Sequence, residues 1–222
     1  MLLEKARIVD LTRPLHPGKE RFTLELSTFQ VEELLPEFKR PENDWYILQE
    51  WKISSHIGTH IESPYHHLKE GYDVAGMPFS RVFGEAVVLD FTGREKGEEI
   101  DIRDAKGLDQ SVRKGDIVII QTGFDRFYNA PDYDRPYLSQ ESIEWLVKRE
   151  IACVGIDASG IERYKAETQP GHKMLFKAGI PVIEELTNLD KLKTRRFFFI
   201  GLPIPICGAD SCPIRAIALE GE

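Results

Sequence analysis

Cysteine is scarce: three among 222 residues, Cys153, Cys207 and Cys212. An odd number cannot all pair, and none stands in a C-x-x-C. A disulfide framework and a thioredoxin-like redox motif are both excluded, and reduced thiols in the cytoplasm are the expectation. Long apolar runs are missing too. No stretch approaches the roughly 18 residues of a membrane span, and the opening Met1-Leu2-Leu3-Glu4-Lys5 holds no apolar segment of secretory-signal length. Basic residues are outnumbered, 29 Lys and Arg against 37 Asp and Glu, for a net charge of −8. Such a chain is poorly suited to phosphate backbones or anionic membrane surfaces, so neither nucleic acid nor a membrane is an expected partner. Internal repeats and low-complexity tracts are absent. What is present is a globular composition, 41% hydrophobic with 12 Phe, 7 Tyr and 3 Trp. A chain of this length buries a full core without staples.

The apolar pattern is mostly that of strands. Ile8 to Leu11 is a short apolar run. Phe22, Leu24 and Leu26 alternate with polar neighbours, as in a half-buried strand. Trp45 to His56, Gly84 to Phe91, Asp116 to Gln121, Ile151 to Ile156, Pro181 to Ile183, Phe197 to Leu202 and Ile214 to Leu219 complete the set. Glu32 to Asp44, with two prolines, reads as an irregular excursion or short helix, and a second short helix is expected near Asp101. Ser139 is a good N-cap for a helix to about Arg149, with Leu138 and Ile143 as its hydrophobic staple. His172 to Ala178 reads as a short helix stopped by Gly179. Strands outnumber helices and do not alternate with them regularly. That favours a strand-rich α/β fold in one domain, spanning residues 1–222, with a mixed sheet or two sheets.

Chemistry concentrates in one segment, His56-Ile-Gly-Thr-His60-Ile-Glu62-Ser-Pro-Tyr-His66-His67. Ile57, Thr59 and Ile61 are β-branched, and Gly58 disfavours a helix. Read as extended, the segment points His56, Gly58, His60 and Glu62 to one face and the β-branched residues to a core. Two imidazoles and a carboxylate with a glycine hollow between them form a ligand set for Zn²⁺ or Mn²⁺. Pro64 ends the strand, and the following turn brings His66 back over the same face. A second segment, Gly171 to Asp190, carries His172, Glu184 and Glu185.

These residues resemble the cyclase family of metal-dependent hydrolases, which includes bacterial kynurenine formamidases and isatin hydrolases. The run from His56 to His66 is similar to the family's H-x-G-T-H-x-D-x-P-x-H. Asp10-Leu11-Thr12, Gly115 to Gly123, the Gly171–Asp190 segment and the tail Gly208-Ala-Asp-Ser-Cys-Pro-Ile-Arg-Ala-Ile-Ala218 resemble further family stretches, in order. The resemblance implies His56, His60 and Glu62 as metal ligands, His172 and Glu184 as completing a second metal site, and His66 as the catalytic histidine. It implies one or two divalent ions per chain, a three-layer β/β/α, swivelling-domain-like fold, and a homodimer or homotetramer. Three departures stand out: Glu62 where the family has aspartate, Glu185 where asparagine is common, and the unmatched stretch from Glu32 to Asp44.

The expected activity is metal-dependent hydrolysis of a small-molecule amide, as in an arylformamidase of tryptophan catabolism. Ring opening of a cyclic amide uses the same machinery. A closed, non-catalytic metal site and a cysteine-nucleophile hydrolase are the readings from other classes. An aryl substrate calls for an aromatic pocket, and Trp45, Tyr46, Tyr65, Phe79 and Phe124 are candidates by closeness to the motifs.

Overall fold

The computed structural model describes residues 6–41, 43–105, 112–131 and 133–221. In chain order the elements are β1 (Arg7–Asp10), β2 (Leu24–Gln30), α1 (Val31–Leu34), β3 (Ile47–Ile53) and β4 (His60–Glu62). Then come β5 (Phe83–Asp90), β6 (Glu99–Ile100), β7 (Ile117–Gln121), β8 (Tyr137–Leu138), α2 (Gln140–Lys148) and β9 (Cys153–Ile156). The chain ends with α3 (Pro170–Lys177), β10 (Val182–Glu184), β11 (Arg196–Pro203) and β12 (Ser211–Glu220).

Seven strands close on themselves in the order β12-β11-β5-β7-β9-β10-β4, with β4 returning to β12. The sheet is mixed. β5, β7, β9 and β10 run parallel, and the pairings through β4, β11 and β12 are antiparallel. Closure depends on the length of β12. Its first residues, Ser211 to Pro213, pair with β4, and its last, Ile217 to Glu220, pair with β1 on the same edge.

Alternation sorts the side chains into two cores. Ala86, Val88, Ile117, Ile119, Ile183, Ile61, Phe197, Phe199, Ala216 and Ala218 fill the barrel interior. Their neighbours Val87, Leu89, Val118, Ile120, Val154, Ile156 and Val182 point outward, against Ile143 and Leu146 of α2 and Leu175 and Phe176 of α3. Parallel strands covered on both faces read as continuous apolar runs, which is why Ile117-Val-Ile-Ile120 was so visible. Two walls of the closed sheet and the helices outside one of them give the β/β/α order.

The helix signals act as expected. Ser139 accepts from the Ser142 amide at 3.1 Å, and Leu138 and Ile143 are buried. α3 starts two residues before His172, at Pro170, whose fixed φ suits a first helical position. Near Asp101 a 3₁₀ turn forms over Ile102–Asp104, capped by the Asp101 carboxylate. Residues 106–111 of that stretch lie outside the described residues.

Two expectations need correction. β2 and β3 form a separate two-stranded arm, paired from Leu24–Ile53 to Gln30–Ile47, and most of its residues are exposed rather than half-buried. The segment from His56 to Glu62 is not extended throughout, since only His60–Glu62 is strand. Gly58 takes φ +57°, a left-handed conformation, and a Cβ there would overlap the Leu15 side chain. The glycine turns the chain rather than making a hollow in a strand.

Candidate metal centre and active site

The site is built on the outer face of β4 and β10. Their antiparallel register sets Glu184 opposite His60 and Val182 opposite Glu62. Ile61 and Ile183 face the barrel interior, so His60, Glu62 and Glu184 point the other way, toward α3. On the far edge of β4, β12 places Ser211 opposite Glu62 and thereby delivers Asp210.

Glu62 is the centre. Its Oε1 lies 2.9 Å from His56 Nδ1, 3.8 Å from His60 Nε2 and 4.0 Å from His66 Nε2. Its Oε2 lies 3.3 Å from His172 Nε2, which is also 3.4 Å from Glu184 Oε1. His60 Nε2 is 3.8 Å from Glu184 Oε2. Two ligand groups result, His56–Glu62–His66 and His60–Glu62–Glu184, with the donor atoms of each within 4.8 Å of one another. They share Glu62.

All four imidazoles are held by their other nitrogen. His60 Nδ1 lies 2.7 Å from the Gly58 carbonyl. A carbonyl only accepts, so Nδ1 carries the proton. His66 Nδ1 and His56 Nε2 both bond Asp210 Oδ2, at 2.9 and 2.8 Å. His172 Nδ1 pairs with the Glu162 carboxylate, which also accepts from the His172 amide. Carboxylates and carbonyls behind imidazoles are the usual support of metal-binding histidines.

The electrostatics are those of a site waiting for positive charge. Burial disfavours the charged ring of His56, yet Glu62 and Asp210 outweigh it and raise it to about 9. The same contest raises His60 and His172. Burial pushes Asp210 up, but its bonds to His56 and His66 bring it down to about 2. Burial and the neighbouring Glu184 push Glu185 up to about 7. His60 Nε2 and Glu62 Oε2 are buried without a hydrogen-bond partner. A buried polar atom left unpaired costs about 1–3 kcal/mol. A divalent cation satisfies both atoms at once, so the residues present fit a metal.

The cluster opens into a cavity of about 390 Å³. His56, His60, Glu62, His66, His172 and Glu184 form one side, and Tyr128, Tyr133, Arg135 and Tyr164 stand among the rest of the lining. Residues 9–163 match the family described as "Putative cyclase".

The chain belongs to this cyclase family.

Relatives agree along nearly the whole length. The kynurenine formamidase of Erythrobacter litoralis is 27% identical over 208 residues, covering 93% of this chain and 88% of its own. An uncharacterized protein of Methanocaldococcus jannaschii is 30% identical over 177 residues, 79% of this chain and 84% of its own. A solved potential metal-dependent hydrolase with cyclase activity superposes with TM-score 0.77 at 26% identity, covering 98% and 99% of the two chains. An isatin hydrolase bound to thioisatinate shares the fold, with TM-score 0.82 at 20% identity over 98% and 94%.

Within this cyclase-family frame the structure gathers His56, His60, Glu62, His66, His172 and Glu184 around one point, and it leaves the expected aromatic set outside. Trp45 is 80% exposed beside the arm, and Phe79 is 75% exposed at the 3₁₀ turn Phe79–Arg81. Tyr65 is exposed, and Phe124 is buried in the core against Phe127. None of these four, nor the exposed Tyr46, lines the cavity. Its aromatic lining comes from Phe22, Tyr128, Tyr133 and Tyr164, which reach it from chain segments distant from the histidine motif. No cysteine lines it among the described residues, which removes the cysteine-nucleophile reading.

Four residues were not singled out from sequence. Asp210 was visible only as part of the tail motif. Glu162 and Tyr133 carry no local signature. Glu185 was noted only as a departure from the family, yet it is buried and accepts from the Tyr133 hydroxyl at 3.1 Å.

Proposed function

We propose that the protein hydrolyses a carbon–nitrogen amide bond, with arylformamides as the substrate class and Zn²⁺ or Mn²⁺ as the ion. One observation carries this reading: the two ligand groups sharing Glu62 open, with unpaired buried ligand atoms, onto a cavity of small-molecule size. His56, His60, Glu62, His172 and Glu184 would hold one or two ions, with His66, the remaining donor of the first group, kept for proton transfer, and a nitrogen and oxygen ligand set suits either metal. A divalent ion at such a site lowers the pKa of water from about 15.7 toward 7 and polarises a carbonyl.

The chain's own residues do the rest. Asp210 fixes His66 through Nδ1 and leaves Nε2 facing Glu62 and the cavity. That nitrogen takes the proton of the attacking water and returns it to the departing amine nitrogen, a role worth about 10²–10⁴-fold. Glu162 orients His172 toward Glu62 and Glu184. Thr59 Oγ donates to the Glu185 carbonyl at 2.6 Å and ties the turn before β4 to the end of β10. This protects the register on which the cluster depends.

Assembly and location belong to the same proposal. The exposed arm, with Leu26, Trp51 and Ile53, is the contact through which the chain forms a homodimer or homotetramer. Three unpaired thiols support a cytoplasmic location.

The test is turnover by chelator-stripped protein reloaded separately with Zn²⁺ or Mn²⁺. N-formylkynurenine and isatin are offered side by side. Metal-dependent hydrolysis of the first supports the arylformamidase reading. Hydrolysis of isatin alone assigns the ring-opening reading. Tight metal binding with no hydrolysis of either, or of simple formanilides, contradicts both.

A further inference from the structure

The net charge of the chain is −8, yet Arg21, Arg135, Arg163 and Lys165 all border the cavity. Arg21, Arg163 and Lys165 are exposed rim residues. Arg135 is 8% exposed. A buried guanidinium is normally paired, because desolvating an unpaired charge is expensive. Among the described residues Arg135 has no carboxylate within ion-pair distance. Its side chain makes one hydrogen bond, from Nε to the Gly160 carbonyl at 3.2 Å. The rings of Tyr133 and Tyr164 flank it at 5.9 and 5.8 Å from centroid to guanidinium.

Its position is built. Gly160 has φ +101°, and a Cβ there would overlap Arg135 Nη2 and lie 3.3 Å from Glu184 Oε1. The absent side chain lets the guanidinium stand beside Glu184, short of an ion pair. In the metal-dependent reading Glu62 and Glu184 are committed to the ion. Arg135 is then left with a free planar fork aimed into the cavity next to the reacting centre. Such a fork matches a carboxylate in two parallel hydrogen bonds. The exposed cations at the rim draw anions toward it.

We propose that Arg135 anchors an anionic group of the substrate, so that the amide hydrolysed is an aryl amide bearing a carboxylate close to the scissile bond, its ring against Tyr133 and Tyr164. The inference rests on the hydrolase reading and is tested separately from it.

Two measurements do this on the metal-loaded protein. One compares kcat/KM for 2-formamidobenzoate and for formanilide, which differ by the carboxylate. The other is calorimetric binding of benzenesulfonate, an aryl anion that is a poor ligand for divalent metals. Wild-type protein is expected to prefer 2-formamidobenzoate by about 10- to 100-fold, the worth of a hydrogen-bonded charge. It is also expected to bind benzenesulfonate. In Arg135→Met that preference and that binding fall at least about tenfold, and Arg135→Lys recovers part of both. Binding of benzenesulfonate lost in Arg135→Met, with neither amide turned over, upholds the anion anchor and sinks the hydrolase reading. Equal kcat/KM for the two amides in wild type, with no benzenesulfonate binding, overturns the anchor and leaves the hydrolase reading intact. That wild-type comparison decides the matter even if Arg135→Met fails to fold. A parallel loss on both amides in the variant also overturns it.

Discussion

At the scale of single residues, the arrangement turns on which nitrogen of each histidine is free. His66 gives Nδ1 to Asp210 and keeps Nε2 for chemistry. His66→Ala is expected to retain the metal and lose about 10²–10⁴-fold in kcat, read from steady-state kinetics beside metal analysis. Wild-type kcat in that variant contradicts the assignment. Asp210 also carries a pH signature in chelator-treated protein. Its carboxyl is depressed from 3.8 to about 2, so its contribution to stability is present above 3.8 and lost as pH falls through about 2. His56 is raised from 6.5 to about 9, so its contribution is present below 6.5 and lost as pH rises through about 9. Urea unfolding of wild type and Asp210→Asn is therefore expected to differ most between about pH 4 and 6.5, with the gap narrowing on either side. A gap that is flat with pH contradicts the pairing. The ligand residues were legible because histidine, glycine and carboxylate crowd one short segment. Glu162 and Arg135 were not, because each acts across the fold on partners that no local pattern announces.

At the scale of elements, the short strands β4 and β10 hold the ligands and the long strand β12 closes the barrel behind them. The apolar strands were readable from sequence because burial on both faces leaves runs such as Ile117 to Ile120. Closure was not readable, since the pairing of Ser211 with Glu62 joins residues far apart in the chain and leaves no periodic trace. The turn at Gly58 was misread for a related reason. Glycine between β-branched residues fits a strand locally, and only the packing of Leu15 shows that the backbone turns there. Phe199 of β11 is fully buried in the barrel interior. Phe199→Ala is expected to cost about 3–5 kcal/mol, measured by chemical denaturation. A loss under about 1 kcal/mol means the interior repacks freely and is not the rigid support that the site needs.

At the scale of the whole molecule, the barrel supplies a rigid face and the β2–β3 arm projects from it. An isolated two-stranded hairpin is marginally stable in water, and this one exposes Trp51 at 66%. Trp51→Glu is expected to lower the oligomeric state seen by light scattering without changing metal content. An unchanged mass rules out the arm as the contact. The five aromatic residues named for the pocket from sequence lie outside the cavity lining, because nearness along the chain is not nearness across a cavity.

The central claim is that Glu62 is the carboxylate the two ligand groups share. It is tested most directly by calorimetric titration of Mn²⁺ or Zn²⁺ into chelator-stripped wild type and Glu62→Gln, which keeps the shape and removes the charge. Saturable stoichiometric binding in wild type, with tight binding abolished in the variant, is the expected result. Wild-type affinity and stoichiometry in Glu62→Gln would contradict it.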